Sequence, residues 1–274
     1  MRKAKSEIVN FIRNSFGTDL SVYDESFLLK FLRERMMATA CSTMADYSLF
    51  VKNDLSEAKT LVDSLNITYS EFFRDPLVFA ILHQIVFPDM FINKKKNGRN
   101  EIRIWSAAAA SGQEAYSLAM LLDHLEMYYH TNINIHLFAS DISMSEINKA
   151  KEGEYPADQL QNTPFKYLNK YFYPNGNRYK LIPRIRESVD FSIYDMLDSK
   201  TISPPESIYG SFDLIYCSNL LIYYNTKTRD QIIQKLLKNL DKDGLLITGE
   251  SEREMFTAYN LHAGYYPAAI FQKK

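Results

Sequence analysis

Residues 102–122 read IRIWSAAAASGQEAYSLAMLL. A β-branched and aromatic run passes, through the smallest side chains, one glycine and a glutamate, into a long amphipathic segment: the pattern of a strand, a tight turn and a helix. Small residues in such a turn let a ligand approach the backbone closely. The same rhythm returns downstream. NINIHLFASD (132–141) is a second buried strand, Ser143 and Glu146 have the spacing of a capping box that opens MSEINKAKEG, and Gly153 marks its end. VDFSIYDML, the strand FDLIYCSN, the helix TKTRDQIIQKLLKNL, the turn DKDG and the strand LLITGESE follow. Alternating units of this length predict an α/β fold, a parallel sheet with helices on both faces.

Two regions depart from the rhythm. Residues 154–192 contain short strand-like pieces around Pro174-Asn175-Gly176 and predict a small antiparallel insertion. Residues 1–90 are helical in pattern: EIVNFIRNSF and ESFLLKFLRERMMATA repeat apolar positions at three and four, and RDPLVFAILHQIV opens with Asp75 as N-cap and Pro76 at the first helical position. The expected organisation is a helical domain (1–90), a solvated linker (91–100) around NKKKNGRN, and an α/β domain (101–274) carrying the 154–192 insertion.

Composition narrows the function. A chain of 274 residues with 46% hydrophobic content can bury a substantial core. No stretch approaches about 18 uncharged apolar residues, and Glu7 and Arg13 interrupt the start where a secretory signal needs an apolar region, so a cytoplasmic protein without membrane insertion is expected. Residues 1–100 carry 14 Lys+Arg against 12 Asp+Glu, and residues 101–274 carry 18 against 21, which leaves no basic face of the kind nucleic acid demands. Cys41 and Cys217 read as reduced small hydrophobes, and scattered histidines without H-E-x-x-H or C-x-x-C spacing give no metal site.

In an open α/β sheet the ligand lies beyond the carboxyl ends of the strands, where strand order reverses, and the turn SAAAASGQE has that position. It lacks the G-x-G-x-x-G of a dinucleotide site and the lysine of a P-loop, so it does not gather phosphate. Glu114 at the helix start would repel phosphate and attract a cation, and Asp141 at the second strand's end is placed to accept from ribose hydroxyls. Taken alone, Glu114 could be a helix-dipole partner and Asp141 an N-cap. Together they point to a phosphate-free nucleoside carrying positive charge, and S-adenosyl-L-methionine is such a molecule.

The segments NITYSEFFRDPLVF, RIWSAAAASGQEAYSLA, FASDISMSEINKAKEGEYP, FDLIYCSNLLIYY and LDKDGLLITGESE, in this order, resemble the chemotaxis receptor methyltransferase (CheR) family. The resemblance implies a class I S-adenosylmethionine-dependent methyltransferase, a Rossmann-like doubly wound sheet with an all-helical N-terminal domain and a small β-subdomain. It also implies methyl esterification of glutamates on transmembrane methyl-accepting chemoreceptors, S-adenosyl-L-homocysteine as product, and a monomeric enzyme. Arg74 falls on the arginine of the family's F-F-R segment, beside the transferable methyl, and Tyr223 on the tyrosine lining the transfer site. Glu114 falls on the second acidic residue of T-G-E-E-P, Asp141 on the ribose aspartate and Asn219 on the asparagine of C-R-N. The expected catalytic residues are thus Arg74 and Tyr223, and the expected cofactor set is Thr68, Ser70, Arg74, Ala108, Gly112, Glu114, Asp141, Asp195, Met196, Ser218 and Asn219.

The pattern is not followed everywhere. Thr68 stands where the family has Asn, Ser70 where it has Thr, Gln113-Glu114-Ala115 where it has E-E-P, Asp195 where Asn is frequent, and Ser218 where it has Arg. Losing that arginine removes a charge and up to five donors, which leaves open another protein carboxylate as substrate, or a non-catalytic cofactor-sensing or receptor-docking module. Family likeness also suggests that Lys30 and Arg33, three apart on one helix, face an acidic receptor bundle; unaided, they read as a solvated face. In some members the β-subdomain grips a receptor-tail peptide by strand addition. Here YPNGNRYK is short, so that tether is expected to be absent or weak.

Overall fold

The computed structural model describes residues 2–65, 69–130, 132–207, 210–265 and 267–273. The chain forms two compact units, one of residues 1–67 with 221–232, the other of residues 68–220 with 233–274. In the first, α1 (Arg2–Phe16), α2 (Glu25–Ala38), α3 (Met44–Asn53) and α4 (Leu55–Ser64) enclose a core that includes Ile8, Ile12, Leu28, Leu32, Tyr47 and Leu61. Asp24 and Asp54 cap α2 and α4, and Thr43 with Asp46 forms a reciprocal box on α3. A buried carboxylate links the helices: Arg35 donates to Glu57 at 3.0 and 2.6 Å and the Tyr47 hydroxyl donates at 2.7 Å. Burial, then the hydrogen bond to Glu57, pushes the Tyr47 phenol well above its usual range. Lys30 and Arg33 are exposed on α2.

The boundary between units lies well before the expected residue 90. Phe72, Phe73, Val78, Phe79, Leu82, Val86, Phe87 and Phe91 belong to the core of the second unit, and apolar periodicity alone does not say which core a helix joins. α5 (Pro76–Ile81) runs through a π-helical turn at Leu82–Val86 into α6 (Phe87–Lys96). By length and composition this 21-residue helix could span a membrane; here one side of it packs in the core just named, while Leu77, Ile85 and Ile92 are exposed. The expected linker is instead the end of α6, and Lys94, mostly buried, pairs with Asp213 at 2.6 Å. Cations there also complement the helix dipole.

β1 (Glu101–Ala107), α7 (Gln113–Tyr129), β2 (Asn134–Asp141) and α8 (Met144–Glu152) open the α/β part. The insertion carries β3 (Glu154–Pro156), α9 (Phe165–Tyr171), β4 (Phe172–Asn175) and β5 (Arg178–Leu181), its antiparallel strands in the order β3-β5-β4. α10 (Pro183–Arg186), β6 (Val189–Ile193), β7 (Phe212–Tyr216), α11 (Thr226–Asn239), β8 (Leu240–Ile247), β9 (Leu261–Ala263) and β10 (Ile270–Lys273) complete the chain. The main sheet has the order β6-β2-β1-β7-β8-β10-β9, with β6 through β8 parallel and β10 antiparallel to both neighbours. From β1 the chain winds outward through β2 to β6, then returns to β7 on the other side of β1. The strand order therefore reverses between β1 and β7.

Two local expectations changed form. Ser143 Oγ accepts from Glu146 N at 3.4 Å, but the Glu146 carboxylate turns to Lys149 at 2.7 Å, so half of the capping box is made. DKDG lies inside β8, where the ladder with β7 shifts register and Asp243 adopts φ 62°.

Candidate active site

The carboxyl ends of β1, β2, β6 and β7 bring together Ala108, Gly112, Glu114, Asp141, Asp195, Met196, Ser218 and Asn219. After β1 the backbone is left-handed at every second residue, with φ 57° at Ala108, 46° at Ala110 and 88° at Gly112. Alanine is the smallest side chain that can bear this, at a cost of roughly 1 kcal/mol per residue. A side chain at Gly112 would be both strained and crowded: at φ 88° a Cβ would lie 3.0 Å from both the Ala150 Cβ and the Phe191 ring. Ala109 N–H donates to Ser140 O and Gly112 N–H to Ala109 O, each at 2.9 Å. The alanine string is thus a fixed, tightly coiled turn with little side chain in front of it.

Asp141 anchors this turn. Its Oδ2 accepts from Ala110 N and its Oδ1 from Ser143 N, both at 2.9 Å, while the N-cap of α8 is Ser143 itself and not Asp141. Each carboxylate oxygen has two lone pairs, so capacity remains for ribose hydroxyls. Burial raises its carboxyl above the ordinary value, against the pull of the backbone N–H groups of Ser143, Ala110 and Ile142.

Glu114, in the first turn of α7, accepts from Ser106 Oγ at 3.0 Å. Burial pushes its carboxyl up to about 8, while the Ser106 hydrogen bond and the nearby Arg74 charge act in the opposite direction. Such a carboxyl is short of positive charge, and a cation bound beside it would draw off its proton.

Arg74 is exposed and forms no ion pair among the described residues. Its guanidinium lies 5.4 Å from the Tyr69 ring centroid. The plain alternative, a pair with Asp75 or Glu71, is not made: Asp75 caps α5 at Val78 N, and Glu71 takes the Tyr69 hydroxyl and Asn162 Nδ2. The segment before it is pinned to α7, since Phe73, at φ 50°, donates its N–H to Ser117 Oγ at 3.0 Å, and that hydroxyl donates to Gln113 O at 2.7 Å.

At the end of β7, Cys217 is fully buried, its thiol pushed far up by burial, which fits a packing role. Ser218 Oγ donates to Asn219 Oδ1 at 2.8 Å, and Asn219 adopts φ 59°. Asp195 is exposed and takes Leu197 N at 2.7 Å on one carboxylate oxygen; Met196 beside it is buried. Ser70 lines a cavity of about 650 Å³ that also involves Ser111 and Gln113, on the insertion side of the turn. Thr68 lies outside the described residues. Tyr223 belongs to the first unit, where its ring centroid is 5.1 Å from that of Phe27 and its carbonyl accepts from Asp24 N at 2.9 Å.

The sequence reading missed Glu252. It is fully buried, and one of its oxygens accepts from Thr248 Oγ1, Gly249 N and Asn219 N at 2.7, 3.1 and 2.9 Å. The available signal was the G-x-x-E spacing of GESE just after a strand. No group of three or more His, Cys, Asp or Glu able to hold a metal occurs among the described residues.

The chain matches the CheR methyltransferase SAM binding domain over residues 68–262 and the CheR methyltransferase all-alpha domain over residues 5–65. It is 30% identical over 253 residues to a chemotaxis protein methyltransferase of Borreliella burgdorferi, covering 90% of this chain and 87% of that one. It is 34% identical over 199 residues to chemotaxis protein methyltransferase 1 of Pseudomonas aeruginosa, covering 70% and 68%. A close-approach turn without a phosphate nest, an acid short of positive charge and an aspartate with spare acceptor capacity fit S-adenosylmethionine. The chain therefore belongs to the CheR family, and it is an S-adenosylmethionine-dependent methyltransferase with the class I fold.

Proposed function

We propose that this enzyme methylates glutamate side chains of methyl-accepting chemoreceptors in the cytoplasm, forming glutamyl methyl esters in chemotactic adaptation, and that it acts as a monomer. The observation that carries the reading is Arg74: an exposed guanidinium, without an ion pair among the described residues, on a segment pinned to α7 and near enough to Glu114 for its charge to act on that carboxyl. Such a group suits an incoming carboxylate.

The chemistry needs little else from the protein. A substrate glutamate with an ordinary pKa near ~4.3 is already a nucleophile at neutral pH, so no general base is required. When bound, S-adenosylmethionine supplies an electrophilic methyl on a sulfonium; the carboxylate oxygen gains that methyl as the carbon–sulfur bond breaks, leaving an ester and a neutral thioether, with no proton transferred. Arg74 orients the carboxylate through charge-assisted hydrogen bonds, loosely enough that the charge lost in the transition state is not held back. For Tyr223 a place at the transfer site rests on the family resemblance alone. Glu114 faces the cationic methionine moiety, Asp141 the ribose hydroxyls, and Asp195 with Met196 the adenine. Ala108, Gly112, Ser70, Thr68, Ser218 and Asn219 complete the cradle.

Ser218 supports a second reading, in which a CheR-like enzyme acts on a different protein carboxylate, because the family's arginine is missing there. Incubation with methyl-labelled S-adenosylmethionine and chemoreceptor-bearing membranes from the source cell separates the two. Label that leaves as methanol in alkali is expected on receptor bands; base-labile label on other proteins alone favours the second reading, and base-stable label overturns carboxylate methylation altogether.

A further inference from the structure

Glu252 is a fully buried acidic residue that neither the cofactor nor the substrate reading uses. It sits at the start of a short 3-10 helix, Glu250–Phe256, and its own N–H donates to Gly249 O at 2.9 Å. Local capping would need only the Gly249 N–H. Two further donors converge on the same oxygen: Thr248 Oγ1 from the end of β8, and Asn219 N from the end of β7, 33 residues away in sequence. Asn219 is one of the few non-glycine residues with a left-handed backbone, at φ 59°, a conformation that costs roughly 1 kcal/mol and persists only when its surroundings hold it. The N–H of that strained residue is the one Glu252 receives.

Gly249 completes the arrangement. Its φ of −68° is open to any residue, so its smallness serves approach and not conformation. A Cβ there would lie 3.1 Å from Asn219 Nδ2, 3.2 Å from Ser218 Oγ and 3.2 Å from Glu252 Oε2. The Gly249–Glu252 corner is therefore seated directly against the Ser218–Asn219 turn.

We infer that Glu252 is a positioning residue for cofactor binding: its carboxylate holds the left-handed Ser218–Asn219 turn in the shape that receives S-adenosylmethionine at the end of β7. The residue acts through Asn219 and does not touch the cofactor itself. The inference rests on the cofactor and on the reading of Asn219 as part of its cradle, and it is independent of which carboxylate is methylated.

Calorimetric titration of the full-length protein with S-adenosyl-L-homocysteine and S-adenosylmethionine tests it in the absence of any receptor. Glu252→Gln keeps one acceptor oxygen and loses the charge assistance of three hydrogen bonds; a roughly 10-fold weaker dissociation constant is expected. Asn219→Gly adopts the left-handed backbone without strain and no longer needs to be held. In the Asn219→Gly background, Glu252→Gln should therefore weaken binding less than about 2-fold further, because the two act on one turn. A general loss of stability would lower the melting temperature without producing this non-additivity. Unchanged affinity in Glu252→Gln, or losses that multiply in the double variant, would overturn the proposal. If Glu252→Gln does not fold, Gly249→Ala presses on the same turn while leaving every charge in place. It is expected to weaken binding by several-fold, and normal affinity there contradicts the proposal equally.

Discussion

The Glu114 carboxyl makes cofactor binding pH-dependent. With its value pushed up to about 8 by burial, it carries a proton at neutral pH when nothing cationic is bound. A cationic ligand prefers the deprotonated form, so affinity for S-adenosylmethionine should rise with pH up to about 8 and level off above it. Proton release on binding should be visible by calorimetry in buffers of different ionisation enthalpy. Glu114→Gln should lose both effects and bind roughly 10- to 100-fold more weakly above pH 8, the range of a charge-assisted hydrogen bond. Linkage has the opposite sign for the cofactor-free fold. The folded value lies above the ordinary 4.5, so the proton's contribution to stability is full below that pH and is lost as pH rises through about 8. Melting temperature should thus fall with pH in the wild type by more than in Glu114→Gln. Gly112 gives a purely steric test: with φ 88° and a would-be Cβ 3.0 Å from Ala150 and Phe191, Gly112→Ala should cost more than 2 kcal/mol and abolish cofactor binding. The equally left-handed but unobstructed Gly17, substituted the same way, should cost only about 1 kcal/mol in chemical denaturation.

Among the elements, the strands of the insertion bear on partner choice. Ile182 N–H donates to Tyr171 O and Leu181 N–H to Gly153 O, so by alternation Pro174 on β4 and Pro156 on β3 face outward on the two open edges. Proline on an edge offers no donor to an added strand. A receptor-tail pentapeptide should therefore show no measurable binding by fluorescence anisotropy, and binding of the isolated peptide would refute this. In the helical unit, Glu57 is the element-level tie, and Arg35→Ala should destabilise that unit by about 3–5 kcal/mol in denaturant titration, as expected when a buried carboxylate loses its partner. Much of this level was legible beforehand. Asp75-Pro76 announced α5 because caps and prolines act locally, and the small-residue turn announced the end of the sheet where strand order reverses. DKDG misled because turn-forming residues can also be absorbed by a ladder irregularity in a paired strand. Glu252 escaped because its partner Asn219 is 33 residues distant, and no local spacing encodes such a hydrogen bond.

For the whole molecule, the chain order conceals the division of labour. Residues 69–90, which the sequence pattern groups with the helices before them, bury Phe72, Phe73 and Phe79 in the core of the α/β unit, and so the segment that carries Arg74 belongs to the unit matched by the SAM binding domain. Residues 221–232 cluster with the helical unit, and with them Tyr223. The central claim is that this assembly methylates a carboxylate which Arg74 orients. The most direct test measures base-labile methyl transfer to chemoreceptor membranes for wild type and Arg74→Ala side by side, with S-adenosylmethionine affinity determined for both. Removing charge-assisted hydrogen bonds to the substrate should lower transfer by about 10- to 100-fold, well beyond any loss of cofactor affinity. Equal transfer by the two proteins, or label that survives alkali, would contradict it.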